Sequence, residues 1–421
     1  MKTSLLTRLA LLGGIVLLSN AASAQTWQTV DNFTYVHGAI PSGLALDPFG
    51  NVFAAGLGMV TNPSGLHAIV RLSGDAGATW QTADDFTTSS NNARYGNFGG
   101  VANGASIASD SAGNVYGVGG FLTDVPNWFT AQSTNSGATW NNVDTVPNAW
   151  AIGVAADYAG NAYVVGRTNL TLITRNSKGS VTNTYDNWLV RKGINGGSSW
   201  ATVDTSVPAN GNSVATAVLC HPTYGVFVTG VTNGFNFAGT WMTRRSLDGG
   251  ATWTTVDKAG TGMGLGIGAD ALGNLYVVGA TQVAGLDHWL VRKSSDGGNS
   301  WRTVDDYTPG CVTVTVTNSI HPFRTTTTTT CYLAVASAFA ADSSGNLFVV
   351  GLQASANGGQ WLVRENPGGK SSWRTVDTFQ DVPGLGSSAY AIAADALGHV
   401  YVAGWAIAGD GSIGHWIVRK N

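Results

Sequence analysis

The chain has 421 residues, a formal net charge of −3, only 11% charged residues and 57 glycines. The sequence contains no basic patch, which argues against a nucleic-acid partner. Beyond the first residues it has no sustained apolar i, i+3, i+4 pattern, so short strands and glycine turns are expected instead of helices.

The first residues in chain order have the features of a secretory signal peptide. Lys2 and Arg8 make a positive start, an apolar run covers 9–18, and Ala22-Ser23-Ala24 is an A-x-A cleavage site. Cleavage after Ala24 predicts a bacterial-type exported chain, periplasmic or extracellular. A membrane anchor is the alternative, but the run is short for a bilayer. No later stretch predicts a membrane span.

A glycine-containing phrase recurs along the rest of the chain and predicts two strands joined by a tight turn. Its Asp can bond its own backbone, and Gly-Asn tolerates positive φ. Seven copies occur, at 46–56, 109–119, 156–166, 220–230, 269–279 (ADALGNLYVVG), 341–351 and 394–404.

A second phrase follows each of the first six copies and predicts two more strands. It consists of an apolar strand such as WLVRK, a tight glycine turn, and W-x-T-V-D. The turns lie at 73–80, 133–140, 193–200, 246–253, 294–301 and, in degenerate form, 366–373. In the fifth unit the four strands, a to d, are predicted at 264–270, 275–281, 288–294 and 301–307.

Seven four-stranded units predict an all-β fold, a seven-bladed β-propeller. The chain ends at HWIVRKN, a strand c without a strand d, whereas 25–33 is a strand d without a blade. The N-terminal strand is therefore expected to complete the last blade and close the ring, which removes free sheet edges. We expect a single domain over 25–421; two smaller propellers of three or four blades each are the alternative.

The turn Ser73-x-Asp75-x-Gly77-x-x-Trp80 resembles the Asp-box of bacterial-neuraminidase-type repeats. That motif occurs in sialidases, in some endoglucanases and in non-enzymatic propellers such as photosystem assembly factors. The first phrase resembles the seven-bladed propeller repeat of many bacterial surface proteins. The two phrases cover nearly all of the chain after the signal peptide, and the resemblance implies architecture rather than function.

The resemblance also implies a structural role for the acidic turn residues. In Asp-box families the aspartate accepts backbone N–H bonds and holds strands c and d together. Asp75, Asp248 and Asp296 fit this pattern, with Asn135 and Asn195 in the same place elsewhere. Asparagine can make the turn bonds but cannot do acid–base work, so the interchange favours scaffolding over catalysis.

Function is expected at the opposite ends of the strands. The a–b and c–d turns must share one face of the ring, and the b–c and d–a connections form the other, called here the variable face. Its largest connections are 85–104, 167–186 and 306–334, and variable loops on a rigid scaffold often carry function.

Of 15 tryptophans, only Trp150 and Trp405 lie outside the repeat positions. Near this face they could stack on a sugar or anchor a partner; packing between blades is the alternative.

Acidic residues on this face are the candidates for chemistry. Seven aspartates fall in its connections: Asp85, Asp124, Asp186, Asp287, Asp306, Asp381 and Asp410. Asp287 and Asp410 lie near His288 and His415 respectively, and an Asp–His pair could perform acid–base catalysis. Solvated or capping roles are the alternative. A sialidase needs a Tyr–Glu pair and an arginine triad, whereas Glu365 is the single glutamate.

The predicted function is that of a secreted, monomeric, non-catalytic propeller that binds a glycan or protein partner through the variable face. The alternative is a carbohydrate-active hydrolase or lyase that uses loop aspartates over the channel. No cofactor or metal is expected, because His and Cys lack zinc spacing and no phosphate loop opens a helix. The ligand-binding candidates are Trp150, Trp405, Asp186, Asp287, His288, Asp410, His415 and Phe323.

The insertion at 306–334 contains two of the three cysteines. Cys311 and Cys331 bracket an alternating Val/Thr run and a Thr run, both of high strand propensity. Folding the arms together places Cys311 opposite Cys331 and Val314 opposite Thr328, which predicts a disulfide-based hairpin in an exported protein. Phe323 would lie at its apolar tip, and Cys220 is expected to be a buried free thiol. A disordered or glycosylated Thr-rich loop is the alternative.

Overall fold

The structure is a computed structural model. It describes residues 26–61, 64–87, 93–95, 106–122, 125–176, 179–206, 211–234, 236–284, 286–317, 325–356, 358–370, 372–409 and 414–421.

The described residues form thirty strands and two short 3-10 helices. The helices are η1 (Asn236–Ala238) and η2 (Pro367–Gly369). The strands are β1 (Gln28–Phe33), β2 (Gly38–Leu46), β3 (Val52–Thr61), β4 (Ser64–Ser73), β5 (Gln81–Phe86), β6 (Ala93–Tyr95), β7 (Ile107–Ser109), β8 (Val115–Leu122), β9 (Pro126–Ser133), β10 (Asn141–Pro147), β11 (Ala149–Ala156), β12 (Ala162–Asn176), β13 (Gly179–Ile194), β14 (Ser199–Ser206), β15 (Val214–His221), β16 (Gly225–Thr232), β17 (Thr240–Ser246), β18 (Thr254–Ala269), β19 (Leu275–Val283), β20 (Leu286–Ser294), β21 (Arg302–Tyr307), β22 (Cys311–Thr317), β23 (Thr325–Cys331), β24 (Ala334–Ala341), β25 (Leu347–Ser355), β26 (Gly358–Asn366), β27 (Arg374–Phe379), β28 (Ser387–Ala394), β29 (Val400–Ala406) and β30 (His415–Lys420).

Antiparallel pairing groups these strands into units, numbered along the chain. The groups are unit 1 (β2–β5), unit 2 (β6–β10, with β6 and β7 both on β8), unit 3 (β11–β14), unit 4 (β15–β17 and the first half of β18), unit 5 (the second half of β18 and β19–β21), unit 6 (β24–β27) and unit 7 (β28–β30 with β1). Strand β18 is thus strand d of unit 4 and strand a of unit 5 without a break. β22 and β23 form a separate two-stranded ribbon.

The four strands predicted for the fifth unit appear at nearly the predicted positions, as the second half of β18 and as β19, β20 and β21. One predicted loop is different. The connection 167–186 is largely paired, because β12 and β13 stay in register from Ala162↔Gly193 to Asn176↔Gly179. The threonines of both arms, together with Ile173, Val181 and Tyr185, have high strand propensity, so the connection is a long hairpin that extends unit 3.

The repeated tryptophans and glycines pack units against each other. Trp361 of β26 is fully buried in a cluster with Val400 and Val402 of the next unit. A Cβ on Gly404 would overlap the Ser388 carbonyl and lie 2.7 Å from the Trp361 ring, so only glycine fits there. Burial of about 150–250 Å² for such a tryptophan stabilises the interface by roughly 4–6 kcal/mol as an upper estimate.

A strand pairing and a tryptophan contact of the same kind join the two ends of the chain. β1 pairs with β30 from Gln28↔Lys420 to Phe33↔Trp416. Trp416 in turn packs in a cluster with residues of β3 and β4, and would lie 2.7 Å from a Cβ on Gly56. The N-terminal strand is therefore the outer strand of unit 7, and unit 7 packs on unit 1.

In six units the first strand, strand a, contains a β-bulge at one residue, and these bulged residues lie at the inner edge of the units. They are Ser42, Ile152, Thr216, Leu265, Ser337 and Tyr390. Two of these residues contact the next unit: Ser42 Oγ is 2.7 Å from Ser106 Oγ, and Thr216 Oγ1 donates to Gly264 O at 2.6 Å. A cavity of about 60 Å³ remains among strands a of five units. It is too small for a ligand, because small-molecule sites usually measure about 300 Å³ or more.

No helix in the described ranges has the length and apolar character needed to cross a membrane.

Candidate functional site on the variable face

The recurring turns are held by local hydrogen bonds. At the c–d turns Thr79 N donates to Asp75 Oδ1 at 2.8 Å and Gly77 N donates to Ser73 Oγ at 2.8 Å. The turns at Asn135, Asp248 and Asp296 repeat this geometry. The turn at Asn195 differs: its φ is 52°, and Ser198 N donates to Ile194 O at 3.0 Å.

These hydrogen bonds stabilise the ionised form of the turn aspartates. The hydroxyl and backbone N–H of Thr79 lower the pKa of Asp75 to about 2, and equivalent donors lower the pKa values of Asp248 and Asp296 to about 2. A carboxylate used in this way as a hydrogen-bond acceptor is a poor general base. The geometry is what a structural turn requires.

The arginines and aspartates of the second phrase pair with each other across units. Their pairing was not predicted from the sequence, although the recurrence of an arginine in W-L-V-R and of an aspartate in T-V-D was the available signal. Six arginines on strand c, one in each unit except unit 2, make a bidentate pair with an aspartate on strand d of the preceding unit: Arg71–Asp31, Arg191–Asp144, Arg244–Asp204, Arg292–Asp257, Arg364–Asp305 and Arg419–Asp377.

A bulge before each of these aspartates makes the pairing possible. In β1 the register shifts between Thr29 and Asp31, which turns the Asp31 side chain toward unit 1. Burial raises the pKa of Asp31, and the two bonds from Arg71 oppose that rise.

A phenol, an imidazole and a carboxylate meet on the variable face of unit 1. Tyr35 Oη lies 2.9 Å from His67 Nδ1 and donates to Asp85 Oδ2 at 2.8 Å, while His67 Nδ1 lies 2.7 Å from Asp85 Oδ1. Burial and the bond to Asp85 raise the pKa of Tyr35 to about 12, so it stays a neutral donor. We call this the Tyr35–His67–Asp85 cluster.

Sequence reasoning named Asp85 only as a loop acid and did not single out His67. Aligning the third strands would have found the pair, because His67 and His288 share one repeat position and each is followed 18 residues later by aspartate. His288 Nδ1 lies 3.0 Å from Asp306 Oδ1. His288 thus bonds across the c–d pair with Asp306, not with its neighbour Asp287.

The other candidate acids lie in different units. Asp186 is buried and ion-paired with Arg167 of the same hairpin. Asp287 in unit 5 has a buried Oδ1 with no hydrogen-bond partner. Asp381 Oδ2 lies 4.0 Å from His415 Nδ1. Asp124, Asp410 and Phe323 lie outside the described residues.

The two unassigned tryptophans have different environments. Trp150 is 4% exposed and packs with Ile152, Val214 and Met263. It is therefore a core residue that presents no face to a ligand, which is the packing alternative raised above. Trp405 is half-buried, and its Nε1 donates to Tyr390 Oη at 2.7 Å. Of the pair, Trp405 alone keeps exposed ring surface at this face.

The cysteine-bracketed insertion forms the predicted ribbon. Cys311 and Cys331 are joined in a disulfide and face each other in the register, and Val314 lies opposite Thr328. Thr313 Oγ1 and Thr329 Oγ1 lie 3.0 Å apart on one face. Cys220 is a free cysteine, half-buried rather than fully buried, and burial raises the pKa of its thiol.

Within the part of the chain that the structure describes, no three His, Cys, Asp or Glu side chains gather as a metal site. What the variable face offers is hydrogen-bonded pairs on separate units, one half-buried tryptophan and a projecting ribbon.

The fold is that of a β-propeller. No family model and no curated protein matches the chain. Over 94% of its length it is similar to a solved structure of YCF48 bound to D1 peptide, covering 96% of that chain at 13% identity and TM-score 0.51. Over 92% of its length it is similar to a PL25 ulvan lyase bound to -[GlcA(1-4)Rha3S]-, covering 95% of that chain at 11% identity and TM-score 0.52.

Over 94% of its length the chain is also similar to NanB sialidase from Streptococcus pneumoniae, covering 70% of that chain at 14% identity and TM-score 0.44. At these identities the similarity concerns the fold. One propeller architecture serves binding proteins and enzymes alike, so function has to be argued from the site.

Proposed function

We propose that the chain is an exported, monomeric, seven-bladed propeller of Asp-box type that binds a protein partner through its variable face, without catalysis. Units 1 to 7 are the blades, and β1 closes the ring on β30. A glycan is the second class of partner that this face could take. The observation that carries the proposal is the ribbon.

The ribbon is exposed on both of its faces. Val312 is 47% exposed and Val314 53% exposed, although both are β-branched apolar residues. Thr313, Thr315 and the facing threonines are also exposed. A lone two-stranded ribbon is marginally stable in water. A disulfide closing a loop of about 20 residues adds roughly 3 kcal/mol, which stabilises a ribbon that the rest of the fold does not cover.

Two features suit this ribbon to a protein partner. Its outer edges carry unpaired backbone N–H and C=O groups, to which an extended peptide can add as a further strand. Its valine face offers apolar area that an interface would bury. The ribbon joins strand d of unit 5 to strand a of unit 6, which places its base on the variable face.

A photo-cross-linking residue at Val314, in the exported full-length protein, tests this contact. We expect one discrete cross-linked partner, lost when Cys311 and Cys331 are both changed to Ser. The matched control is the same cross-linker at Thr252, an exposed c–d turn position on the opposite face. Equal cross-linking from both positions, or none from Val314, contradicts the proposal. A glycan array with a Trp405→Ala control decides the glycan case.

The Tyr35–His67–Asp85 cluster favours one second candidate, a carbohydrate-active hydrolase or lyase. A neutral phenol and an imidazole paired with a carboxylate can transfer protons. Incubation with a panel of neutral, carboxylated and sulfated polysaccharides should release no product if the binding function is correct. Product release that disappears in His67→Gln, with unchanged melting temperature, would establish the enzyme instead.

A further inference from the structure

The turn face of the molecule has a regular contact between neighbouring units. In four units, the strand-c residue after the arginine position, which in unit 2 holds Ala131, reaches the c–d turn of the next unit and donates to its backbone. The bonds are Lys420 Nζ to Ala76 O (3.0 Å), Gln132 Nε2 to Gly196 O (2.8 Å), Lys192 Nζ to Gly249 O (2.9 Å) and Arg245 Nη1 to Gly297 O (2.6 Å). In this way each donor is satisfied by the scaffold.

The interface between units 5 and 6 breaks this pattern. The c–d turn of unit 6 is the degenerate one, with Asn366 at the serine position, Gly368 at the aspartate position and Lys370 at the usual glycine. Within the described ranges, Lys293, the donor of unit 5, has no hydrogen bond or ion pair; its Nζ lies 5.3 Å from the Tyr276 ring centroid. The scaffold thus leaves this ammonium group available.

A cleft of about 300 Å³ lies at this interface. Lys293, Arg302 and Lys370 line it together with Asn366 and Trp373. Its volume is at the lower end of the range for small-molecule sites, about 300–1,000 Å³. The nearby Arg374 is neutralised by Glu365 at 2.7 Å, whereas no ion pair involves the three lining cations in the described part of the chain. On a chain of net charge −3 this is a local positive site.

Buried polar atoms in the lining also lack partners. Asn366 is 5% exposed, and its Oδ1 is buried without a hydrogen-bond partner. Trp373 Nε1 is likewise buried and unpartnered, as are Trp27 Nε1 and Trp80 Nε1 at the same repeat position, whereas the equivalent Trp301 Nε1 donates to Gly298 O at 3.2 Å. A buried polar group without a partner is unfavourable, and a ligand that supplies the missing partner recovers that loss. Rotation of the Asn366 side-chain amide by half a turn presents its NH₂ group to an oxygen of a ligand.

We propose that this cleft, on the face opposite the variable face, binds an oxyanion group, a carboxylate or a sulfate, of monosaccharide size or smaller. The three cations provide the charge, and the Trp373 and Asn366 side chains donate hydrogen bonds that fix orientation. The site is independent of partner binding at the ribbon.

Calorimetric titration at low ionic strength tests the site with three probes: sodium sulfate, D-galacturonate and neutral D-galactose. We expect binding of one or both anions and none of galactose. Tighter binding of galacturonate assigns a sugar-borne carboxylate, and binding of sulfate alone assigns a free inorganic anion; both outcomes support the oxyanion site. No binding of either anion overturns it.

Variants locate the binding in this cleft. Lys370→Gln and Lys293→Gln should each weaken anion binding about tenfold, the loss of one charge-assisted hydrogen bond. Lys258→Gln removes an exposed lysine elsewhere and should bind as the parent does. Gly368→Asp restores the missing turn carboxylate at a φ of 60°, which aspartate tolerates, and should abolish binding with the melting temperature retained. Equal affinity in parent, Lys370→Gln and Lys293→Gln would refute the assignment.

Discussion

Replacement of Asp31 by alanine tests both the inter-unit ion pairs and the seating of the N-terminal strand. Asp31 lies on β1 and accepts two bonds from Arg71 of unit 1, at 3.1 and 2.7 Å. The two side chains are 6% and 11% exposed respectively. Asp31→Ala therefore leaves a guanidinium group in a mostly buried place without its acceptor.

The expected cost follows from that burial. Removing one partner of a buried ion pair destabilises by about 3–5 kcal/mol, mainly because the remaining charge is unpaired. The Phe33 ring, 4.4 Å from the Arg71 guanidinium carbon, retains part of the cation's stabilisation. We therefore expect about 3–4 kcal/mol from urea unfolding monitored by tryptophan fluorescence.

Two controls make the measurement specific. Asp144→Ala breaks the equivalent pair with Arg191 between units 2 and 3, and should cost about the same. The double change Asp31→Leu with Arg71→Met removes both charges and should come within about 1 kcal/mol of the parent. If Asp31→Ala costs less than about 1 kcal/mol while Asp144→Ala costs several, β1 does not occupy the outer edge of unit 7 and the ring-closure reasoning fails.

Three further outcomes are expected. Asp248 has a folded pKa of about 2, below the ordinary 3.8, so its contribution to stability is present above about pH 4 and is lost as pH falls toward 2. Asp248→Asn should flatten this acid dependence, measured as urea midpoints between pH 2 and 5. It should change stability little at pH 7, since Asn135 makes the same turn. Trp150→Ala should cost about 3–5 kcal/mol as a core truncation and leave the affinity of the folded protein for its partner unchanged; weakened binding with full stability would contradict its burial. Deletion of 25–33 should expose the edge of β30 and cause aggregation or a large drop in melting temperature, and a truncated protein as stable as the parent would argue against closure.

Much of this fold could be predicted from the sequence because its determinants are local. The Asp-x-x-Gly-Asn turns close through bonds such as Asn51 N to Asp47 Oδ1 at 2.9 Å, within four residues. Strand positions followed from alternation between such turns, and the ribbon register followed from two arms of equal length joined at their cysteines. Each of these features depends on residues that are close neighbours in the chain or in one hairpin.

The tertiary structure decided everything that depends on one unit meeting the next. Arg364 and Asp305 are 59 residues apart, and a bulge in strand d directs the aspartate to its partner. Trp150 carries no sequence mark that separates a core tryptophan from an exposed one, and only the neighbouring strands bury it. The cleft at Lys293 exists because a turn in another unit lacks its usual residues. Such partners come from packing geometry, which a repeat pattern read one unit at a time does not contain.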